Sequence, residues 1–256
     1  MPIELDNTNI IINNNSTTSN ILEVIKSKGS YTEKEAESSV YSCGSSYYGQ
    51  LGHGNKSDQN IPTLIQYFVT NNITISHVSG GNIHSIFLAT NGNVYSCGWN
   101  GYGLLGHGNN SDQNTPTLIQ EFVDKDITIS NVSGGNIHSI FLATNGNVYS
   151  CGKGYPGQLG HGNNSDQNIP TLIQEFVDKD ITISHVSGGN IHSIFLATNG
   201  NVYSCGKGYP GQLGHGNNSD QNIPTLIQEF VDKDITISNV SGGNIHSIFL
   251  ATNGNV

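Results

Sequence analysis

The segment Val40-Tyr41-Ser42-Cys43-Gly44 returns as Val94 to Gly98, Val148 to Gly152 and Val202 to Gly206, each time after 54 residues. Four consecutive units therefore occupy 40–93, 94–147, 148–201 and 202–255, and the third and fourth differ only at His185 against Asn239. A period this strict constrains the fold more than the length of 256 residues does. Each unit is one supersecondary element that cannot bury its apolar face alone and must stack on the next copy. Val256 is the first residue of a further copy, and the alternation of His77 and His185 with Asn131 and Asn239 indicates that units duplicated in pairs.

Each unit reads as four short antiparallel strands. Ile127 to Ser133 alternates apolar and polar residues, the pattern of a strand with one buried face. After a Gly134-Gly135-Asn136 turn, the run from Ile137 to Thr144 is apolar enough to have both faces covered. Asn145-Gly146 signals a two-residue hairpin with positive φ at both positions, and Val148 to Cys151 returns antiparallel. A Gly/Asn/Ser loop, 152–168, leads to a last strand over Pro170 to Phe176, whose leading proline suits an edge. The expected fold is all-β, built of β-propeller-type blades. Residues 1–39 lie outside the repeat: a polar leader with an Asn-rich tract, read as disordered, with one or two helical turns over Ile21 to Lys26; a docking peptide is the alternative.

Three segments, Val94-Tyr95-Ser96-Cys97-Gly98, Gly49-Gln50-Leu51-Gly52-His53-Gly54 and Val78-Ser79-Gly80-Gly81-Asn82-Ile83-His84-Ser85, resemble the regulator of chromosome condensation repeat family. The resemblance covers 40–255 and implies a seven-bladed propeller, with guanine-nucleotide exchange on a Ran-type GTPase and chromatin binding in the founding member. The chain departs from the family in three ways. Cysteine stands in every copy where the family has tryptophan, so the packing there must loosen or be refilled by neighbours such as Tyr95 and Phe141. There are four copies, and neither the basic chromatin-binding tail nor an exchange wedge is identifiable.

Copy number raises the question of closure. The first unit supplies only the third and fourth strands of a blade and the last ends on a first and second strand. Either the ends pair into a small closed ring, or the chain is an open arc of a larger propeller, with two half-blades; the single residue of a fifth copy favours the arc. An open arc implies self-association through its strand edges.

Composition narrows the choice of partner. Charged residues are 11%, against roughly 25% in an average soluble protein, and glycine fills 32 positions, which disfavours a helical bundle. The net charge of −10 comes from 19 acidic and 9 basic residues, all lysine. Without arginine and with an acidic surface, direct nucleic-acid or anionic-membrane binding is disfavoured. No apolar run spans a bilayer and Met1 to Asn20 lacks a signal-peptide pattern, so the expected location is intracellular, cytoplasmic or nuclear. Cys43, Cys97, Cys151 and Cys205 then read as one position counted four times, a reduced buried thiol.

Candidate chemistry is sparse. Gly152-Lys153-Gly154-Tyr155-Pro156-Gly157 matches G-x-G-x-x-G, but a proline and more glycine follow it instead of a helix, so it reads as a loop. His53, His107, His161 and His215 read as hydrogen-bonded turn residues. His84, His138, His192 and His246 open the second strand of each unit at equivalent radii; with Asp58, Asp112, Asp166 and Asp220 they form the candidate interaction rim. Such regularity is forced by the repeat, so it does not argue for a metal site, and no unique nucleophile–base pair can be assembled. No cofactor is implied. The sequence therefore reads as a non-enzymatic interaction module that binds a protein partner through its loop faces. Two alternatives stand beside it: a guanine-nucleotide exchange factor or regulator for a Ran- or Rab-type GTPase, and a truncated copy without independent function.

Overall fold

A computed structural model of the chain describes residues 39–252; the leader therefore lies outside the described residues. The strands form three four-stranded antiparallel sheets and two two-stranded ones. The complete blades are β3–β6 (Ile75–Gly80, His84–Ala89, Val94–Gly98, Gln113–Leu118), β7–β10 (Ile129–Gly134, His138–Ala143, Val148–Gly152, Gln167–Leu172) and β11–β14 (Ile183–Gly188, His192–Ala197, Val202–Gly206, Gln221–Leu226). The half-blades are β1–β2 (Tyr41–Gly44, Gln59–Leu64) and β15–β16 (Ile237–Gly242, Ser247–Ala251), and they do not pair with each other. The open arrangement holds among the described residues, and the closed small ring does not.

Each blade is made across a unit boundary, and each core is made across a blade boundary. Ile86, Leu88 and Val94 of one blade meet Ile129, Val132, Phe141 and Cys151 of the next in one buried cluster. The same cluster recurs one repeat later around Ile140, Leu142, Val148, Phe195 and Cys205. The second strands His138–Ala143 and His192–Ala197 are buried at all six positions, as expected for strands covered on both faces. The first strands β3, β7, β11 and β15 neighbour one another along the inner side.

At the position where the family has tryptophan, the neighbouring loop packs onto the smaller cysteine. Cys97, Cys151 and Cys205 are fully buried, and the backbone of the preceding unit's Gly-rich loop closes on the sulfur, with Cys151 Sγ 3.4 Å from the Leu104 carbonyl oxygen. Cys43, in the first half-blade, is exposed, so the buried-thiol expectation holds for three of the four copies.

Two local expectations are corrected. The last strand stops at Leu172 instead of running to Phe176, and Gln174–Asp178 forms one helical turn (α3; α1, α2 and α4 are Gln66–Thr70, Gln120–Asp124 and Gln228–Asp232). The turn folds because Phe176, aromatic partner of Phe195 at 5.1 Å, must point into the seam. A left-handed residue, Asp180 at φ +53°, then closes it, with Ile181 N–H donating back to the Phe176 carbonyl and Asp180 N–H to that of Val177. This is a Schellman closure with its apolar contact, since Ile181 packs on the same cluster as Phe176. The Asn145-Gly146 hairpin has a three-residue loop: Gly146 N–H donates to Ala143 O, Ala143 N–H to Asn147 O, and only Gly146 has positive φ. A Cβ on Gly146 would lie 2.4 Å from Thr182 Cγ2, so close approach to the next blade also requires glycine.

The side-chain amides of Gln158 and Gln212 are badly provided for in the interior. In the first unit, Gln50 Oε1 accepts from Tyr48 N–H at 2.9 Å. The residue equivalent to Tyr48 is Pro156 in the third unit, which has no N–H to give. Gln158 is accordingly fully buried with neither side-chain amide atom partnered among the described residues. The second unit solves the same position with Leu104, equally buried, whose carbonyl keeps the bond from Ser139 Oγ. Gln158→Leu is therefore expected to stabilise the fold by about 1–3 kcal/mol, the penalty of an unsatisfied buried polar group. Urea unfolding measures this; an unchanged or lowered midpoint contradicts it.

Candidate interaction surface

The loop between the third and fourth strands of each blade carries half of the positions that differ between copies. Its frame is uniform. Asp58, Asp112, Asp166 and Asp220 are exposed, yet one carboxylate oxygen of each accepts a backbone N–H across the loop, from Ser46, Asn100, Gly154 and Gly208 at 2.7–3.0 Å. The serine of the third strand donates to the loop, as Ser96 Oγ does to Leu105 O at 2.7 Å, while His107 Nε2 lies 3.0 Å from the same oxygen. Because that serine's one proton is given to the carbonyl, the imidazole is the donor. His53, His161 and His215 repeat the arrangement, so all four are hydrogen-bonded turn residues. The G-x-G-x-x-G loop at 152–157 is this clamped loop and opens no helix.

On this rigid frame stands a run of aromatic rings that the sequence pattern did not reveal. Tyr47 and Tyr48 meet edge-on at 4.8 Å, Tyr48 meets Trp99 at 6.3 Å, and Trp99 meets Tyr102 at 5.3 Å. Lys153 Nζ lies 4.8 Å above the Tyr102 ring, carrying the run into the third blade's loop. Tyr47, Tyr155 and Tyr209 occupy the same repeat position and are 71%, 60% and 65% exposed. The signal lay where the copies disagree: Ser45, Trp99, Lys153 and Lys207 are equivalent, as are Tyr48, Tyr102, Pro156 and Pro210.

The other half of the expected rim is elsewhere. His84, His138 and His192 are buried at the seams between blades, and only His246, on the last half-blade, is exposed. His84 Nε2 lies 2.9 Å from Ser139 Oγ of the next blade, His138 Nε2 3.0 Å from Ser193 Oγ, and His192 Nε2 3.0 Å from Ser247 Oγ. Each of these serines donates its proton to a loop carbonyl, of Leu104, Gln158 and Gln212, so the imidazole again donates through Nε2–H. Nδ1 of all three is left without a partner among the described residues. The structure thus separates the aspartates, on the loop face, from three of the four histidines, which hold blade to blade. Beside the seam, Asn82 donates to Asn136 at 2.8 Å and Asn136 to Asn190 at 2.5 Å, edging a cavity of about 410 Å³ lined by glycine and asparagine of all four units.

Burial pulls the seam histidines far below the ordinary imidazole value, to about 4 for His84, about 3 for His138 and about 4 for His192. A lowered folded-state value means that the unfolded chain takes up these protons first. Folding stability is therefore full above the free-imidazole value of about 6.5 and falls as pH drops toward 4. Urea midpoints should decline through that window, with a slope at about pH 5 corresponding to uptake of at least about three protons on unfolding, those of the seam together with a share from His107, His161 and His215, which burial also lowers. A midpoint independent of pH between 6.5 and 4 contradicts the seam assignment.

The regulator of chromosome condensation (RCC1) repeat matches residues 37–88, 91–142, 145–196 and 199–250. The ultraviolet-B receptor UVR8 of Arabidopsis thaliana is 34% identical over 208 residues, which are 81% of this chain and 45% of that protein. The human E3 ubiquitin-protein ligase HERC2 is 30% identical over 228 residues, 88% of this chain and 5% of the ligase. The chain thus spans less than half the length of these curated relatives. The crystal structure of Prp20p from Saccharomyces cerevisiae superposes with a TM-score of 0.69 at 22% identity, covering 82% of this chain and 50% of that one, a likeness of fold. With all four units matched in register, and with blades of the same build, this chain belongs to the regulator of chromosome condensation repeat family.

Proposed function

We propose that the chain is a non-enzymatic protein-binding module whose contact surface is the aromatic loop face. The observation that carries this reading is the ring run from Tyr47 through Trp99 to Tyr102, continued by exposed Tyr155 and Tyr209. Tyrosine and tryptophan offer large, rigid, amphipathic area at little entropic cost and are the residues most enriched among binding hot spots. The Asp-clamped backbone beneath them supplies preorganisation, so little ordering is lost on binding. The groups most often recruited for chemistry are otherwise engaged. The seam imidazoles are neutral donors, and burial raises the Cys97 thiol to about 12, so these buried groups supply neither a base nor a thiolate.

Panning a random-peptide display library on the immobilised chain tests the reading. Peptides enriched on the native surface are expected to bind a Tyr47→Ala, Tyr155→Ala, Tyr209→Ala variant about 30-fold more weakly, the scale of a hot-spot loss. Equal affinity for the variant contradicts it. The exchange-factor alternative draws on Prp20p, which has binding properties to Gsp1p and histones. The module reading expects no acceleration of fluorescent-nucleotide release from Ran- or Rab-type GTPases at micromolar chain; acceleration favours the alternative.

A further inference from the structure

Lys153 and Lys207 occupy the same repeat position, each following the glycine that ends a third strand, yet their ammonium groups go to different places. Lys207 Nζ lies 3.3 Å from Oδ2 of Asp220, the aspartate of its own loop. Lys153 has the equivalent Asp166 in its loop but forms no ion pair with it among the described residues. Its Nζ lies instead over the Tyr102 ring of the preceding blade, 4.8 Å from the centroid. At Tyr102's position the blade before Lys207 carries Pro156, which has no π face to offer. With the carboxylate held constant, the cation moves to the ring wherever a ring is present.

The same surface carries rings that hold no cation of the chain. Trp99 stands at Lys153's position one unit earlier and faces Tyr48 as Lys153 faces Tyr102. Gly101 replaces the tyrosine of the other copies beneath it, and a Cβ there would overlap the indole, so the glycine is what lets the indole lie on the loop. Trp99, Tyr102 and Lys153 each have a described neighbour on either side, so their setting is that of interior loops. Asp58 and Asp166 are exposed and without an ion-pair partner among the described residues, in a chain of net charge −10.

We propose that the aromatic loop face takes an arginine-bearing segment of a protein partner, a guanidinium stacking on Tyr48, Trp99 and Tyr102, and that Lys153 is the chain's own occupant of that seat, displaced on binding. The proposal rests on the loop-face reading and narrows it to one partner chemistry. Arginine is favoured over lysine because its planar, weakly hydrated guanidinium stacks on rings and loses less on leaving water. The chain has no arginine, so no internal guanidinium competes for the rings. The excess of carboxylates steers a basic segment toward the surface, and the rings then hold it.

Trp99 is the only tryptophan in the sequence, so its emission reports on the seat directly. A capped hexa-arginine peptide is expected to change that emission saturably, hexa-lysine to bind more weakly, and hexa-glutamate to have no effect. Followed by the anisotropy of labelled hexa-arginine, Trp99→Leu with Tyr102→Leu keeps apolar area, removes two ring faces and should weaken binding about tenfold with unchanged circular dichroism. Lys153→Met uncovers the Tyr102 ring and should tighten binding about fivefold. Lys207→Met removes the same charge and frees Asp220, yet should tighten it by no more than about twofold.

Equal binding of hexa-arginine to the native chain and the leucine variant, equal tightening by the two methionine variants, or hexa-lysine binding as tightly as hexa-arginine each overturn the proposal, since bulk charge alone gives those results. Library peptides that need Tyr47, Tyr155 and Tyr209 but bind without arginine, with hexa-arginine unbound, overturn it while the loop-face reading stands. Failure of both hexa-arginine and the library peptides overturns the two together.

Discussion

A proton shared between an imidazole on one blade and a serine on the next holds the array in register. His138 Nε2–H donates to Ser193 Oγ, and Ser193 in turn donates to the Gln158 carbonyl, in the loop after the third strand of the first residue's own blade. Two blades and one loop are thereby fixed by three atoms. The surrounding seam is apolar and buried, which favours the neutral imidazole and a hydroxyl pointing to the carbonyl. The twin glycines follow from it: a Cβ on Gly135 would sit 2.4 Å from His138 Nδ1. The loop whose carbonyl is held here is also the loop that displays the aromatics, which links the seam to the proposed contact surface.

Much of this was legible in the sequence because the repeat reports every position four times. The apolar positions in Ile127 to Ser133 and the apolar run after it marked the first two strands, although an irregularity between Ile129 and Asn131 breaks the alternation so that Ile129 and Val132 are both buried, and the offset between unit and blade followed from the order of strands. Two local features escaped. The helical turn after Leu172 was read as strand because Ile173 and Phe176 are β-formers; only their need to meet the seam, closed by the left-handed Asp180, bends the chain there. Asn-Gly was read for its pair propensity, whereas the flanking Asn147 carbonyl decides the loop length.

The candidate rim was half legible. The aspartates do lie on the loop face, because a loop of Asn, Ser and Asp has nowhere else to go. The histidines do not, since a periodic polar residue at a strand start looks the same whether it faces solvent or a hydroxyl one unit further on. Period alone carries no depth. Conversely, the aromatic run was hidden by attention to what the copies share: Tyr47, Tyr48, Trp99 and Tyr102 sit at positions where the units disagree, so the surface is asymmetric although the scaffold is not.

The most direct measurement is the nitrogen-15 spectrum of the histidine side chains in the folded chain at about pH 5, a unit or more below the free-imidazole value. The expected result is three neutral imidazoles, those of His84, His138 and His192, each with its proton on Nε2 and protected from solvent exchange. Doubly protonated rings at these positions, or neutral rings carrying the proton on Nδ1, would contradict the seam that ties blade to blade and loop to blade.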